Sequence, residues 1–170
     1  MRVTFYVNTA PFSDRADRGV IDDYFDRIRH GGDRRTLSSS QVAMLHRAGH
    51  ALGCHTHTHR ALSSLTFDEA TRDIVQNREI LEQLTDRPVR HLSFPFGMRR
   101  HVTAPLRAWA SATGFTTVSN AIPGCLHGPL DPFNLYRTKW NFSCTVEQNL
   151  ATLRVDGRFF AGLTGRSPVA

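Results

Sequence analysis

At 170 residues, 40% hydrophobic and 21% charged, the chain is long enough for one domain with a buried core and too apolar to be disordered throughout. No apolar run approaches the roughly 18 residues a membrane-spanning helix needs. The net charge of +6 and the pI of about 10.0 come mostly from scattered arginines, with no basic tail longer than Arg34-Arg35 or Arg99-Arg100. That pattern disfavours a nucleic-acid partner and leaves an anionic glycan open.

In chain order, Val3 to Asn8 alternates apolar and polar residues and predicts a strand. One basic residue, Arg2, precedes it, without the longer apolar region and small-residue cleavage site of a signal peptide. Residues 9 to 37, rich in Asp, Arg and Gly, predict a long connection, helical from Val20 to Ile28. Ser38-Ser39-Ser40 offers N-caps for a helix through Arg47 that Gly49 ends. Ala51 to Cys54 is a short buried strand. Thr66 and Glu69 have the spacing of a capping box. Phe67, Ala70, Ile74, Leu81 and Leu84 then mark one face of a helix to about Leu84. His91 to Phe94 is the next strand, followed by the loop Pro95-Phe96-Gly97.

Thr103 and Pro105 start a helix that Gly114 ends. Phe115 to Val118 and Leu135 to Thr138 read as strands, and Thr145 to Leu153 as a helix. From Gly157 onward no period survives, which predicts a loosely ordered tail after a single domain of residues 1–156. Strands alternating with helices indicate an α/β fold. Cys54, Cys125 and Cys144 are odd in number and irregularly spaced. They do not form a disulfide framework and predict a reducing, cytoplasmic setting.

The richest stretch is His55-Thr56-His57-Thr58-His59, directly after a strand. If it is extended, residues two apart share a side; if it turns helically, His55 and His59 share a face. Either arrangement lets two imidazoles converge on a divalent metal such as Zn, Co or Ni. Cys54, beside them, reads as a small buried residue rather than a ligand. The Pro95-Phe96-Gly97 turn ends the next strand, where α/β folds place their sites. A backbone N–H there could face a reacting carbonyl.

Together these segments resemble the polysaccharide deacetylase family, the chitooligosaccharide deacetylase homology domain of carbohydrate esterase family 4. Gly49 to His59 is similar to the family's histidine motif, with His55 and His59 at its two metal-binding positions and Thr56 at its loop-shaping one. Leu92-Ser93-Phe94-Pro95-Phe96-Gly97 resembles the next motif; Phe96 matches the residue whose backbone N–H binds the oxyanion, flanked by Pro95 and Gly97 at the substrate. Ser93 stands where many members have arginine. Val3 to Val7 and the late segment Asp131-Pro132-Phe133 with Leu135 and Arg137 also agree, Arg137 as a substrate-side residue. The resemblance covers about residues 1 to 145. It implies an irregular (β/α) barrel, incomplete at the N-terminus, and a metal-dependent hydrolase removing acetyl groups from N-acetylated sugars, with zinc, cobalt or nickel as cofactor.

The chain departs from the family in two further places. The Thr-Phe-Asp-Asp motif, which supplies a base and an aspartate ligand, belongs on a strand before Val3. Asp22-Asp23 follows that strand and reads as a solvated helix face. No late Leu-x-His match supplies a general acid, and His127 falls in a Pro/Gly loop. The alternative reading is therefore a catalytically inactive relative that binds glycan or a protein partner. The open edge of the Val3 strand invites pairing with a second chain.

Overall fold

The computed structural model describes residues 2–101, 103–123 and 130–150, with the backbone of 151–154. The expected tail, Cys125 and His127 lie outside the described residues. The elements run β1 (Thr4–Val7), α1 (Arg18–Arg27), α2 (Ser39–Arg47), β2 (Ala51–Cys54), α3 (Phe67–Thr85), β3 (His91–Ser93), α4 (Ala104–Ala112), β4 (Thr117–Ser119) and α5 (Val146–Arg154). Short 3-10 turns stand at Leu62–Ser64 and Arg99–His101.

The four strands form one parallel sheet in the order β1-β2-β3-β4. Parallel neighbours need crossovers, and helices supply them. This alternating topology is that of the irregular (β/α) fold that the resemblance implied. The helices begin where the sequence marks them. Ser38 caps α2 in a capping box with Gln41, and Thr66 caps α3 in another with Glu69. Helix α3 stops at Asp86, which takes the left-handed conformation at φ 52°.

The sheet has two unlike faces because side chains alternate along each strand. Leu52, Cys54, Leu92 and Val118 point into a core shared with Val42, Ala70, Ile74, Leu81, Leu106 and Ala110 of the helices. The opposite face carries Thr4, Tyr6, Gly53, His91, Ser93, Thr117 and Ser119. It is held by polar contacts. Tyr6 reaches from β1 to β4, where its hydroxyl meets Ser119 Oγ at 2.8 Å. Its ring crosses over Gly53, where a Cβ would lie 2.6 Å from a ring carbon. Only glycine leaves that path clear.

β1 is an edge strand. Ala51 N–H donates to Val3 O and His55 N–H to Val7 O, so the odd residues face β2. Thr4 and Tyr6 therefore turn their N–H and C=O groups to the open edge. Beside that edge lies a cavity of about 480 Å³ lined by residues that include Phe5, Phe12, Tyr24, Phe25, Val42 and Leu45.

One expected strand contracts. Leu135 to Thr138 makes only a single bridge, Ser119 with Leu135. Asp131 folds its carboxylate back onto Phe133 N–H at 2.9 Å, and Arg137 N–H leaves β4 to donate to Ile122 O. The segment runs beside β4, with Val118 N–H on Pro132 O, Leu135 N–H on Val118 O and Asn120 N–H on Leu135 O, but does not form a regular strand. Among the described residues, no helix is long and apolar enough to cross a membrane.

Candidate functional site

The chain leaves β2 through two left-handed residues, Thr56 at φ 66° and His59 at φ 57°. Between them the path is neither a continued strand nor a regular helix. It brings the His55 and His59 rings together, centroids 5.0 Å apart. His57 is sent away, its Nδ1 on Thr9 Oγ1 at 2.8 Å. Of the two arrangements the spacing left open, the pairing of His55 with His59 is the one formed.

Buried amides hold this turn. Asn77 of α3 accepts His55 N–H at 3.1 Å and donates to Val7 O and Thr9 Oγ1, each at 3.0 Å. Asn8 donates to the carbonyls of His55 and Thr56. Thr56 Oγ1 accepts His59 N–H at 3.0 Å, and Arg27 of α1 donates to Thr58 O. Backbone groups that the turn leaves unpaired are thereby satisfied.

His55 Nδ1 donates to Ser93 O at 2.8 Å, which leaves Nε2 as its acceptor. Burial pushes the His55 pKa down to about 3, helped by His59 and Arg137 and opposed by the Ser93 carbonyl. Burial also pushes His59 down to about 4. Both rings are therefore neutral at pH 7.

The loop after β3 forms the other wall. Phe96 (φ 61°) and Gly97 (φ 54°) are both left-handed. A Cβ on Gly97 would stand 2.5 Å from Ala121 N, the atom that donates to Gly97 O at 2.9 Å. Pro95 is buried beneath this turn. The Phe96 ring, 38% exposed, meets His59 edge-on at 5.0 Å and His101 at 5.5 Å. Its backbone N–H makes no hydrogen bond among the described residues. Tyr24 of α1 packs on His59 from another side, at 5.8 Å.

Arg137 completes the floor. Its guanidinium lies 4.9 Å above the Tyr6 ring. Nη2 donates to Ser93 Oγ at 2.5 Å and Nε to Asn120 O at 2.7 Å. The site therefore brings together His55, His59, Phe96 and Arg137 from segments up to 82 residues apart; the first three lie just past the C-terminal ends of β2 and β3. Sequence reasoning missed Tyr6, Tyr24, Asn8, Asn77 and His101. For Tyr6 a signal existed: a glycine at the paired position, Gly53. For Tyr24 none did, since only the packing of α1 brings it there.

Two expectations need correction. A divalent metal, zinc, cobalt or nickel, was expected on His55 and His59. Among the described residues no group of three or more His, Cys, Asp or Glu side chains is placed to hold a metal ion. His57 is turned to Thr9. Cys54 is fully buried on the helix side of the sheet, where burial pushes its thiol pKa up. Its reading as a core residue stands. Two neutral imidazoles without a carboxylate fall short of the three protein ligands usual in a catalytic zinc site. The expected metal-dependent removal of acetyl groups falls with the ligand set, because among the described residues no third ligand completes the centre that would activate water.

Comparison with known proteins agrees with this geometry at the level of family. The polysaccharide deacetylase profile matches residues 1–118, and the chain belongs to that family. Among solved structures, the Streptococcus pyogenes deacetylase PplD in complex with acetate superposes with a TM-score of 0.69 at 15% identity, over 90% of this chain and 59% of that one. A polysaccharide deacetylase from Bacillus cereus gives 0.58 at 19% identity, over 89% and 50%. The deacetylase domain of BpsB from Bordetella bronchiseptica gives 0.56 at 14% identity, over 81% and 60%. The chain thus spans between half and three-fifths of these relatives, and the likeness is one of fold. No curated protein matches it in sequence.

Proposed function

We propose that this chain is a non-catalytic member of the polysaccharide deacetylase family that binds an N-acetylated glycan in the cleft between the His55–His59 turn and the Phe96 loop. The observation that carries the reading is the preserved cleft without a metal ligand set. Among the described residues the Phe96 N–H is unspent, and the neutral His59, paired with the neutral His55, packs on the Phe96 ring. A donor N–H in an aromatic-walled cleft suits an acetamide carbonyl, and Phe96 supplies a face for the sugar ring. Acetate is the ligand named for the S. pyogenes relative; for this chain it motivates the acetyl group as the part held in the cleft. Pro95 and Gly97 shape the donor loop, and Arg137 stands on the substrate side.

The free edge of β1 and the unpaired Cys54 and Cys144 extend the proposal. The edge is a surface for a second chain, and the thiols suit a reducing, cytoplasmic setting.

Calorimetric titration with tri-N-acetylchitotriose tests the reading. Binding is expected in the wild type. It should weaken about tenfold or more in Gly97→Ala, whose Cβ would displace the loop carrying the Phe96 donor. Acetate release, assayed with zinc added, is expected to stay at background. Release that needs the metal and disappears in His55→Ala would overturn the non-catalytic reading. No binding of the trisaccharide would overturn the glycan reading and favour a protein partner.

A further inference from the structure

Arg137 is a half-buried cation for which the described residues offer no counter-ion. Its identified partners are neutral: the Asn120 carbonyl, the Ser93 hydroxyl and the face of the Tyr6 ring. The described residues form six ion pairs, and none of them includes this guanidinium. A buried charge is destabilising unless it is paired. The two hydrogen bonds leave Nη1 and one hydrogen of Nη2 unspent. Because Tyr6 is anchored to Ser119 at 2.8 Å, the guanidinium is held in place by stacking and by both hydrogen bonds before any ligand arrives. Such a fixed planar fork matches a carboxylate.

Resting on the glycan reading above, we infer that the ligand is an acidic sugar: an N-acetylated glycan whose carboxylate pairs with Arg137 while its acetyl group meets the Phe96 N–H. Ser93 contributes by its size. A small hydroxyl there leaves room for the Arg137 side chain and fixes its Nη2. The chain's excess of +6 would favour an anionic ligand at longer range.

The test uses three probes on the purified chain: tri-N-acetylchitotriose, the same trisaccharide with its C6 hydroxyls oxidised to carboxylates, and tri-galacturonate, which carries carboxylates without acetyl groups. The oxidised trisaccharide is expected to bind roughly tenfold tighter or more than the neutral one, the scale of a charge-assisted hydrogen bond. In Arg137→Gln the ratio of the two affinities should fall to about one. Arg137→Lys, which keeps the charge and loses the fork, should retain part of the preference and serves if the glutamine variant does not fold. Equal binding of the neutral and oxidised sugars by the wild type would overturn the acidic-sugar inference and leave the glycan reading standing. Tri-galacturonate binding as well as the oxidised sugar, with the loss in Arg137→Gln, would keep the carboxylate site and overturn the role of the acetyl group. An unchanged preference in Arg137→Gln would place the carboxylate elsewhere and overturn the assignment.

Discussion

At the scale of single residues, the cleft depends on groups held neutral and on amides that are fully used. His55 and His59 have folded-state pKa values lowered to about 3 and about 4, against an ordinary value near 6.5. The unfolded chain therefore takes up protons before the folded one does. Their contribution is complete above about pH 6.5 and drains away as pH falls toward the folded values. The slope is at most about 1.4 kcal/mol per pH unit for each ring. Urea unfolding between pH 7.5 and 5 is expected to show this loss, and His55→Gln should flatten it. A wild type equally stable across that range would contradict the burial described. Asn77 is the residue whose removal should be felt most widely. It is fully buried and bonds His55 N–H, Val7 O and Thr9 Oγ1. Asn77→Ala is expected to destabilise the fold by about 2 kcal/mol or more, read from the denaturant midpoint. Asn77→Asp keeps one acceptor and loses two donors, so it should recover little.

At the scale of elements, three of the described helices, α2, α3 and α5, start on capping boxes. Helix α3 carries Asn77 and supports the histidine turn, and its Thr66–Glu69 box is exposed and simple to test. Thr66→Ala is expected to lower stability by about 1 kcal/mol without altering glycan affinity, because the cap precedes Asp73 and Asn77, the helix residues bonded to the histidine turn, by about two turns or more. A large affinity change with a small change in stability would mean that the helix start moves the site. The turn after β2 and the turn after β3 behave differently from the helices. Each contains left-handed non-glycine residues, Thr56 and His59 in one and Phe96 in the other. Such conformations are uncommon outside glycine, asparagine and aspartate. They persist because the surrounding hydrogen bonds hold them, and both occur where the candidate site is built.

At the scale of the molecule, the sheet is closed on its helix side and open at β1. Thr4 and Tyr6 present backbone groups to that edge, next to an apolar cavity of about 480 Å³. Unpaired edges are pairing sites unless charge or shape blocks them. Sedimentation velocity is expected to show concentration-dependent self-association of the chain, reduced in Thr4→Lys, which sets a charge on an exposed edge position. Monomers at every concentration would show that the edge is covered by other means.

Much of this architecture was legible from the sequence because it rests on local chemistry. Alternation marks β1, and serine and threonine caps mark the starts of α2 and α3. The apolar spacing from Phe67 to Leu84 marks the long helix, since each of these signals acts within a few residues. The His55/His59 pair and the Phe96-Gly97 loop were also legible, as motifs at the ends of neighbouring strands. What only the tertiary structure decided depends on groups distant in the chain. The left-handed path that turns His57 away depends on Asn8 and Asn77. The tyrosine floor depends on Ser119. The guanidinium reaches Ser93 across 44 residues. The shortfall in the metal ligand set was likewise decided in space, because neither Cys54 nor His57 joins the two imidazoles. Patterns in a sequence specify which residues can make an element, whereas a ligand set requires side chains from several elements to meet, and only packing determines whether they do.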